Sequence, residues 1–567
     1  MIWTTELPPF VPFFVGALLV VLTRGYVRQA LLLLVPILGG WQLLGVESGT
    51  YWELRFLDYT LTPYRVDRLS LLFGYLFHIA AFLGILFSLH VRDTRQQVAT
   101  LLYAGSALGA VFAGDLISLF VFWELLAITS VFLIWARGTE RALRAGMRYL
   151  VIQVISGVLL LSGALIRYHE TGDLGFEYLG LDGLASWLIF IAFGIKCAFP
   201  LLHNWLTDAY PEATPTGTVL LSSFTTKLAV YALARAFPGT ELLIYIGAVM
   251  TCFPIFYAVI ENDLRRVLAY SMINQIGFMV TGIGIGTALA INGAVAHAFN
   301  DVIFKGLLFM SMGSVLHMTG RIKGSDLGGL YKTMPITTGL CIVGAFSISA
   351  FPLFNGFVSK SLIMVAVLEQ GHHWVWLALL FASAGVFHHA GIKIPFFAFF
   401  SHDAGIRVKD PPLNMLLAMG IAAALCVFIG SYPWLLYDLL PFPFVVTTSP
   451  FDATHVIAQL QLLFFSALAF AWLKLSGLYP PELRSVNLDA EWMYRRLGPR
   501  AVRAFAGVVG SIDAGLRQGA RRRLRAVTDL LRRHHGPDGV LARTWPTGSV
   551  VLWVALLLGM YLVLYYL

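Results

Sequence analysis

A set of ionisable side chains sits inside stretches that are otherwise apolar. Glu124 lies within Phe120-Val121-Phe122-Trp123-Glu124-Leu125-Leu126, and Lys196 within Phe193-Gly194-Ile195-Lys196-Cys197-Ala198-Phe199-Pro200. Lys227 follows Ser222-Ser223-Phe224-Thr225-Thr226. His297, Asp301 and Lys305 are spaced one helical turn apart and share a face. Lys360 follows Asn355-Gly356, and His388, His389 and Lys393 form a further turn-spaced group. A charge at the centre of a bilayer costs at least about 2.5–3.5 kcal/mol on insertion scales. Lysines in separate spans therefore cannot face lipid; they line an interior polar path or pair with acids. Lysine suits proton relay, because a desolvated ammonium can give up its proton whereas a guanidinium stays charged. A buried Lys beside a Glu holds or releases a proton as the pair opens and closes. The competing readings are lysines that snorkel from helix ends and static structural ion pairs.

Other chemistries have no residues to carry them. No HExxH, Gly-rich phosphate loop or nucleophile elbow occurs, which excludes metal hydrolysis and nucleotide use. Cys197, Cys252, Cys341 and Cys426 are far apart in apolar runs without a CxxC, so neither a zinc site nor a cluster is expected, and no cofactor. Gly282-Ile283-Gly284-Ile285-Gly286 reads as helix packing. His203, His317, His372, His373 and His402 lie near the predicted loops and are expected at the interfaces.

The elements that must hold these groups are membrane spans. The chain has 567 residues, 58% hydrophobic and 12% charged, with mean hydropathy +0.77. Soluble domains average about 45–50% apolar and about 25% charged, so a soluble enzyme, a disordered chain, a collagen and a disulfide scaffold are excluded. Apolar runs place sixteen spans near 8–22, 29–46, 66–90, 98–113, 115–136, 148–168, 184–202, 213–236, 241–260, 266–286, 288–318, 336–368, 374–400, 413–431, 453–474 and 548–566. No basic n-region precedes the first run, so no cleaved signal peptide is expected. With sixteen spans, the basic clusters at 24–28, 92–95, 137–148, 265–266, 321–332, 407–409 and 495–533 all fall on one side. The positive-inside rule makes that side cytoplasmic and puts both termini outside. Breaks are expected within 336–368, at Phe351-Pro352-Leu353-Phe354-Asn355-Gly356; within 288–318, around Asn300-Asp301; and at the end of 184–202, at Phe199-Pro200. Broken helices at mid-membrane depth are a transporter signature.

After residue 430 a span at 453–474 leads into Tyr479-Pro480-Pro481-Glu482 and a basic region. There Val502, Phe505, Val509, Ile512 and Leu516 recur at helical spacing among arginines, which predicts an amphipathic helix on the cytoplasmic surface. A last span returns to the membrane.

Several long strings resemble one family. Asp115 to Leu126 (DLISLFVFWELL), Gly194 to Asp208 (GIKCAFPLLHNWLTD), Glu212 to Tyr231 (EATPTGTVLLSSFTTKLAVY), Asp263 to Met279 (DLRRVLAYSMINQIGFM), Ala296 to His317 and Phe351 to Leu362 (FPLFNGFVSKSL) look like the antiporter-like subunits shared by Mrp-type cation/proton antiporters and respiratory complex I. The likeness runs from about residue 65 to 430 in the same motif order, and Thr-Lys-Leu-Ala-Val-Tyr in span eight is most similar to the D subunit of Mrp antiporters. The resemblance implies an all-α polytopic protein of about 14–16 transmembrane helices. It would hold two inverted five-helix repeats with a broken helix in each, a C-terminal lateral helix and a terminal anchor. By the same resemblance Glu124 matches the family glutamate of span five, and Lys196 its partner lysine in the first broken helix. Lys227 matches the connecting lysine of span eight, Lys305 the central lysine of the second repeat, and Lys360 the lysine after the second break. Lys393 joins the expected proton path from its place among buried groups. The chain has Ser222-Ser223-Phe224 where many complex I members have a histidine, and its histidine is displaced to His297. Which of His297, Asp301 and Lys305 carries the proton in the second half is left open.

The expected organisation is N-terminal helices (1–97), first repeat (98–236), second repeat (241–400), C-terminal helices (401–475), basic surface helix (476–547) and anchor (548–567). The expected function is that of a proton-translocating subunit of an Mrp-type antiporter, a transporter component rather than an enzyme. Its expected partners are other integral membrane subunits, the bilayer, protons and, in the antiporter reading, Na+; nucleic acid is not among them. The expected location is the inner (plasma) membrane with the basic loops cytoplasmic. Alternatives are the homologous pump subunit of complex I or a membrane-bound hydrogenase, the channel of an inorganic-carbon uptake complex, and a scaffold whose buried charges are static.

Overall fold

The computed structural model describes residues 7–446, 449–483 and 487–567. Two apolar helices, α1 (Val11–Leu22) and α2 (Gly25–Leu43), lead into an antiparallel hairpin of β1 (Gly49–Phe56) and β2 (Tyr59–Val66). The hairpin departs from the all-helical expectation. Its Tyr51, Trp52, Tyr59, Thr60, Thr62 and Tyr64 suit a pleated, half-buried surface. α3 (Arg68–Ser88) starts on a capping box in which Asp67 and Ser70 satisfy each other's backbone N–H.

Two runs of helices with the same order follow. The first is α4 (Thr94–Phe112), α5 (Leu116–Trp135), α6 (Glu140–Thr171), α7 (Gly183–Lys196), α8 (Asn204–Ala209), α9 (Pro215–Ser223) and α10 (Thr225–Ala236). The second is α11 (Glu241–Ile260), α12 (Leu264–Ile285), α13 (Ala288–Thr319), α14 (Pro335–Ile348), α15 (Asn355–Glu369), α16 (His373–Val386) and α17 (Lys393–Pro395), with π-helical turns at Phe387–Ile392 and Phe396–Phe400. The punctuation recurs from one run to the other. Asp115 and Asp263 cap α5 and α12 and form isolated bridges with Gly175 and Lys323. Thr139 and Thr287 cap α6 and α13, each 32 residues long and each ended by a left-handed glycine, Gly172 and Gly320. α7 and α14 are both 14 residues long, and both run into the tetrapeptide Ala-Phe-Pro-Leu. In it Ala198, Leu201, Ala350 and Leu353 take φ of 62°, 70°, 57° and 73°. The left-handed region costs a residue with a Cβ roughly 1–2 kcal/mol, so both breaks are strained at the same two places.

The breaks free backbone carbonyls that lipid could not satisfy. Trp205 Nε1 donates to Ile195 O at 2.8 Å in the first. In the second, Gln459 Nε2 donates to Ser349 O at 3.0 Å, while Asn300 Nδ2 adds a bond to Asn355 O at 2.8 Å, at the start of α15. A milder interruption at Phe224 separates α9 from α10. The break expected around Asn300-Asp301 does not occur: α13 runs unbroken through it. No proline interrupts the turn, and neither side chain competes for the helix backbone. Asn300 reaches across to α15, and Asp301 to α10. His203, expected at the interface, is buried against the Phe253 ring.

α18 (Leu413–Ser431), α19 (Trp434–Tyr437) and α20 (Ala453–Leu475) complete the first compact unit, residues 1–487. The second unit, 488–567, holds α21 (Gly498–His535) and the apolar α22 (Thr547–Tyr566). At 38 residues, α21 is about 57 Å long at 1.5 Å per residue. A helix lies in each of the sixteen predicted segments. Eleven helical segments among the described residues are long and apolar enough to cross a membrane. Burial sorts them: the segment Pro215–Ala236 is wholly buried and α12 nearly so, whereas α20 is mostly exposed. The innermost helices are those that carry or face the lysines.

Asp115 ties the hairpin to the first run. Its Oδ1 accepts from Ile117 and Ser118 N–H at 2.9 and 2.8 Å, and its Oδ2 from Thr62 N–H at 2.6 Å. Asp115→Ala should lower stability by about 1–2 kcal/mol for the lost cap, and further for the orphaned Thr62 N–H. A thermal midpoint in detergent equal to that of the parent protein would contradict this role.

Candidate functional site

The first cluster forms where α5 crosses the end of α7. Lys196 is the last residue of α7 and has no exposed surface. Its Nζ donates to Trp123 O at 2.7 Å and lies 4.7 Å from the centre of the Trp123 ring. Glu124, the next residue, lies within electrostatic reach of Lys196 without direct contact, and its Oε1 is buried with no hydrogen-bond partner. A Cβ at position 157 would overlap that carboxylate, so Gly157 on α6 is what gives Glu124 its room. The ammonium is held by a carbonyl and an aromatic face rather than locked to the acid, which leaves the pair free to close.

The second cluster joins the two runs. Lys227 Nζ approaches Asp301 Oδ2 at 2.6 Å, and neither side chain has exposed surface. The carboxylate is off hydrogen-bond alignment, so both its oxygens keep accepting capacity. Lys227 also donates to Ser222 O at 3.1 Å, a carbonyl released by the interruption at Phe224. On the α4 side the hydroxyls of Tyr103 and Thr225 meet at 2.6 Å, next to that interruption.

The third cluster occupies the second run. Lys305 Nζ donates to Ser271 Oγ on α12 at 2.8 Å. His297 is fixed at both nitrogens, Nδ1 3.0 Å from Ser359 Oγ and Nε2 3.0 Å from Gln275 Oε1. Gln275 in turn donates to Asn274 Oδ1 at 2.7 Å. Lys360 Nζ lies 4.8 Å from the centre of the Phe278 ring and 3.5 Å from Ile348 O at the second break. It opens onto a cavity of about 1250 Å³ between α11, α15, α16 and α20, whose other walls include His388, Gln459 and Tyr479. Lys393 stands apart. Its Nζ donates to Ala258, Val259 and Glu261 carbonyls at 3.2, 2.7 and 2.7 Å, at the C-terminus of α11, and pairs with Glu482 at 2.9 Å.

The structure thus brings Glu124 to Lys196, Lys227 to Asp301, and Lys305 into reach of Asp301, Lys227 and Lys360. The helical spacing of His297, Asp301 and Lys305 is real, but their partners lie on other helices. Sequence reading did not single out Ser271, Gln275 and Ser359, uncharged polar residues that lie inside the strings quoted for the resemblance. It also did not assign a role to Glu482, named only as part of the segment that follows the span at 453–474. No group of three or more His, Cys, Asp or Glu among the described residues is placed to hold a metal ion. The arrangement offers a series of buried ammonium groups, each within reach of an acid, a hydroxyl or a carbonyl.

Residues 113–387 match the family described as NADH:quinone oxidoreductase/Mrp antiporter, TM. The chain is 30% identical over 421 residues to the A subunit of the Na(+)/H(+) antiporter of Alkalihalophilus pseudofirmus, covering 65% of this chain and 52% of that protein. It is 33% identical over 315 residues to the D subunit from the same organism, covering 52% of this chain and 64% of that one. The chain therefore spans between half and two thirds of these relatives' length. In fold it is similar to a chain of the membrane-bound sulfane sulfur reductase, an archaeal respiratory membrane complex. The TM-score is 0.71 at 23% identity, over 98% of this chain and all of that one.

Removing one partner of a buried ion pair leaves an uncompensated charge, a loss of about 3–5 kcal/mol. Asp301→Leu should therefore destabilise the protein by that order, and Lys227→Met with Asp301→Leu should recover much of the loss. Thermal unfolding of the single and double variants in detergent checks this; a double variant no more stable than the single one would contradict it.

Proposed function

We propose that this chain, a member of the NADH:quinone oxidoreductase/Mrp antiporter membrane family through residues 113–387, is the proton-translocating subunit of a multisubunit Mrp-type monovalent cation/proton antiporter. As a multi-pass member of an antiporter-subunit family it is a transporter component rather than a catalytic enzyme, and its natural neighbours are other membrane subunits. The observation that carries the proposal is the Lys227–Asp301 pair, fully buried, joining the run that holds Glu124 and Lys196 to the one that holds Lys305 and Lys360. A static scaffold has no need of a series of charges at such desolvation cost.

In this reading the two runs, 98–236 and 241–400, are inverted repeats. Five crossings per run set them in opposite senses through the membrane, and the recurring caps and Ala-Phe-Pro-Leu breaks support the pairing. Each repeat supplies a half-channel. Glu124 and Lys196 load the proton from one face. Lys227 and Asp301 pass it sideways as their contact opens, and Lys305, with His297 beside it, takes it up. Lys360, facing the cavity, releases it, and Lys393 belongs to the same buried polar path. The basic loops lie in the cytoplasm and the protein in the inner (plasma) membrane.

A second reading, a proton-pumping subunit of a redox-driven complex, draws on the fold match to the archaeal respiratory complex, which extends through the C-terminal helices. Partners that copurify separate the two: iron–sulfur subunits would favour the redox-driven complex.

Lys196→Ala, reconstituted with its partner subunits in proteoliposomes, should lower coupled proton movement by about a hundredfold or more, the scale of a positioned proton-transfer group. Proton uptake at the parent rate by a correctly assembled variant would sink the reading.

A further inference from the structure

His389 is one of several buried side chains whose polar atoms all lack a hydrogen-bond partner, Gln153 and Asn204 being others, and of these three it alone can carry a proton near neutral pH. It has no exposed surface, and neither ring nitrogen reaches a partner in hydrogen-bond geometry. The Gly385 carbonyl, one turn earlier, approaches without that geometry. Buried polar atoms are nearly always satisfied, so an imidazole with both nitrogens free calls for a reason. By contrast His297 is pinned at both nitrogens, and His388 on the neighbouring face stacks on Tyr479 with ring centres 5.6 Å apart.

The backbone puts His389 in this place by an irregularity. It lies in the π-helical turn Phe387–Ile392, and such turns are rare and concentrate at functional sites. Gly391 in the same turn leaves room for Ser349 of the second break; a Cβ there would collide with its hydroxyl. The charged and titratable groups that act on His389 are Lys305 on α13, Lys393 one turn further on, and His388. Lys393 leads outward to Glu482, whose side chain is 7% exposed, and to the end of α11, where Glu261 begins the short turn into α12, whose first residues include Arg265 and Arg266. Burial holds the Glu482 carboxyl above its ordinary value, against the opposing pull of Lys393. Glu482 is thus a group able to pick up a proton at the edge of the protein.

We propose that His389 is a proton carrier linking Lys305 to the Lys393–Glu482 pair, giving the second run its own access to the face of the basic loops. The inference rests on the reading of the chain as a proton conductor and adds a branch to it. Each step moves one proton between nitrogens or oxygens. Glu482 gives its proton to the neutral Lys393 amine as the contact reforms. The Lys393 ammonium then gives a proton to one free nitrogen of neutral His389. The imidazolium releases the proton on its other nitrogen to the neutral amine of Lys305, and rotation of the ring restores the starting tautomer. Nothing is oxidised or reduced.

The test uses the reconstituted multisubunit complex. His389→Gln keeps the size and polarity of the side chain but carries no proton. It should lower proton movement by about tenfold or more and remove a limb of the pH–rate profile. A rate and profile equal to the parent's would overturn the branch. Lys196→Ala, measured beside it, separates the two claims. If Lys196→Ala abolishes transport while His389→Gln does not, the branch falls and the wider reading stands; if neither variant changes transport, both fall. Should His389→Gln fail to assemble, Glu482→Gln at the mouth is decisive in its place: a loss of similar size supports the branch, and an unchanged rate overturns it.

Discussion

An ammonium group taken out of water must be given oxygens in exchange, and in this protein that requirement organises the innermost helices. Lys227 and Asp301 meet at 2.6 Å with no exposed surface. For them to meet, α10 has to present its lysine toward α13, and the interruption at Phe224 supplies both the shift and a free carbonyl at Ser222. α13 has to remain straight through Asn300-Asp301, and it does so because Asn300 holds α15 across the gap. The pair is therefore the charged part of a seam that also includes Arg265, which donates to the Ala213 carbonyl at 3.0 Å, and His203 against the Phe253 ring. Desolvation makes such a pair weak as a source of stability and strong as a constraint: removing either partner is far worse than removing both.

The two helix breaks obey the same logic at the level of the backbone. Each frees carbonyls in a region where lipid offers no donor. A tryptophan satisfies the first break and a glutamine the second, and an asparagine of α13 braces the start of α15 just beyond it. Each is held open by two residues with a Cβ in the left-handed region, Ala198 with Leu201 and Ala350 with Leu353. Strain of that kind persists only where the surroundings over-determine it. Its recurrence in both runs says that the broken geometry is maintained, not tolerated. Lys196 sits directly before one break and Lys360 shortly after the other.

Hydropathy made the helices legible because a span must be long and apolar whatever it packs against. All sixteen segments carry a helix, and the Ala-Phe-Pro-Leu breaks were visible as prolines in apolar runs. What could not be read was partnership. Helical spacing put His297, Asp301 and Lys305 on one face, but which group each side chain meets depends on neighbouring helices. Asp301 turns to α10, His297 to α12 and α15, and Lys305 to Ser271. Asn300-Asp301 looked like a break for the same reason: polar residues in an apolar helix signal either interruption or a distant partner, and periodicity does not distinguish the two. The hairpin escaped notice because a short pair of strands between spans has too few residues to establish a period of two.

The likeness of the two runs makes their difference informative. Counted from the first residue of each helix, Glu124 on α5 corresponds to Met272 on α12, and Gly157 on α6 to Lys305 on α13. In the first run the acid comes from one helix and the other recedes to a bare glycine to admit it. In the second the acid is gone, and the receding position has become an ammonium that reaches back to a serine hydroxyl. One scaffold thus holds a carboxylate at its first centre and an amine at its second, with the Lys227–Asp301 pair between them. The two runs thus keep the same order of helices and differ in charge at corresponding positions.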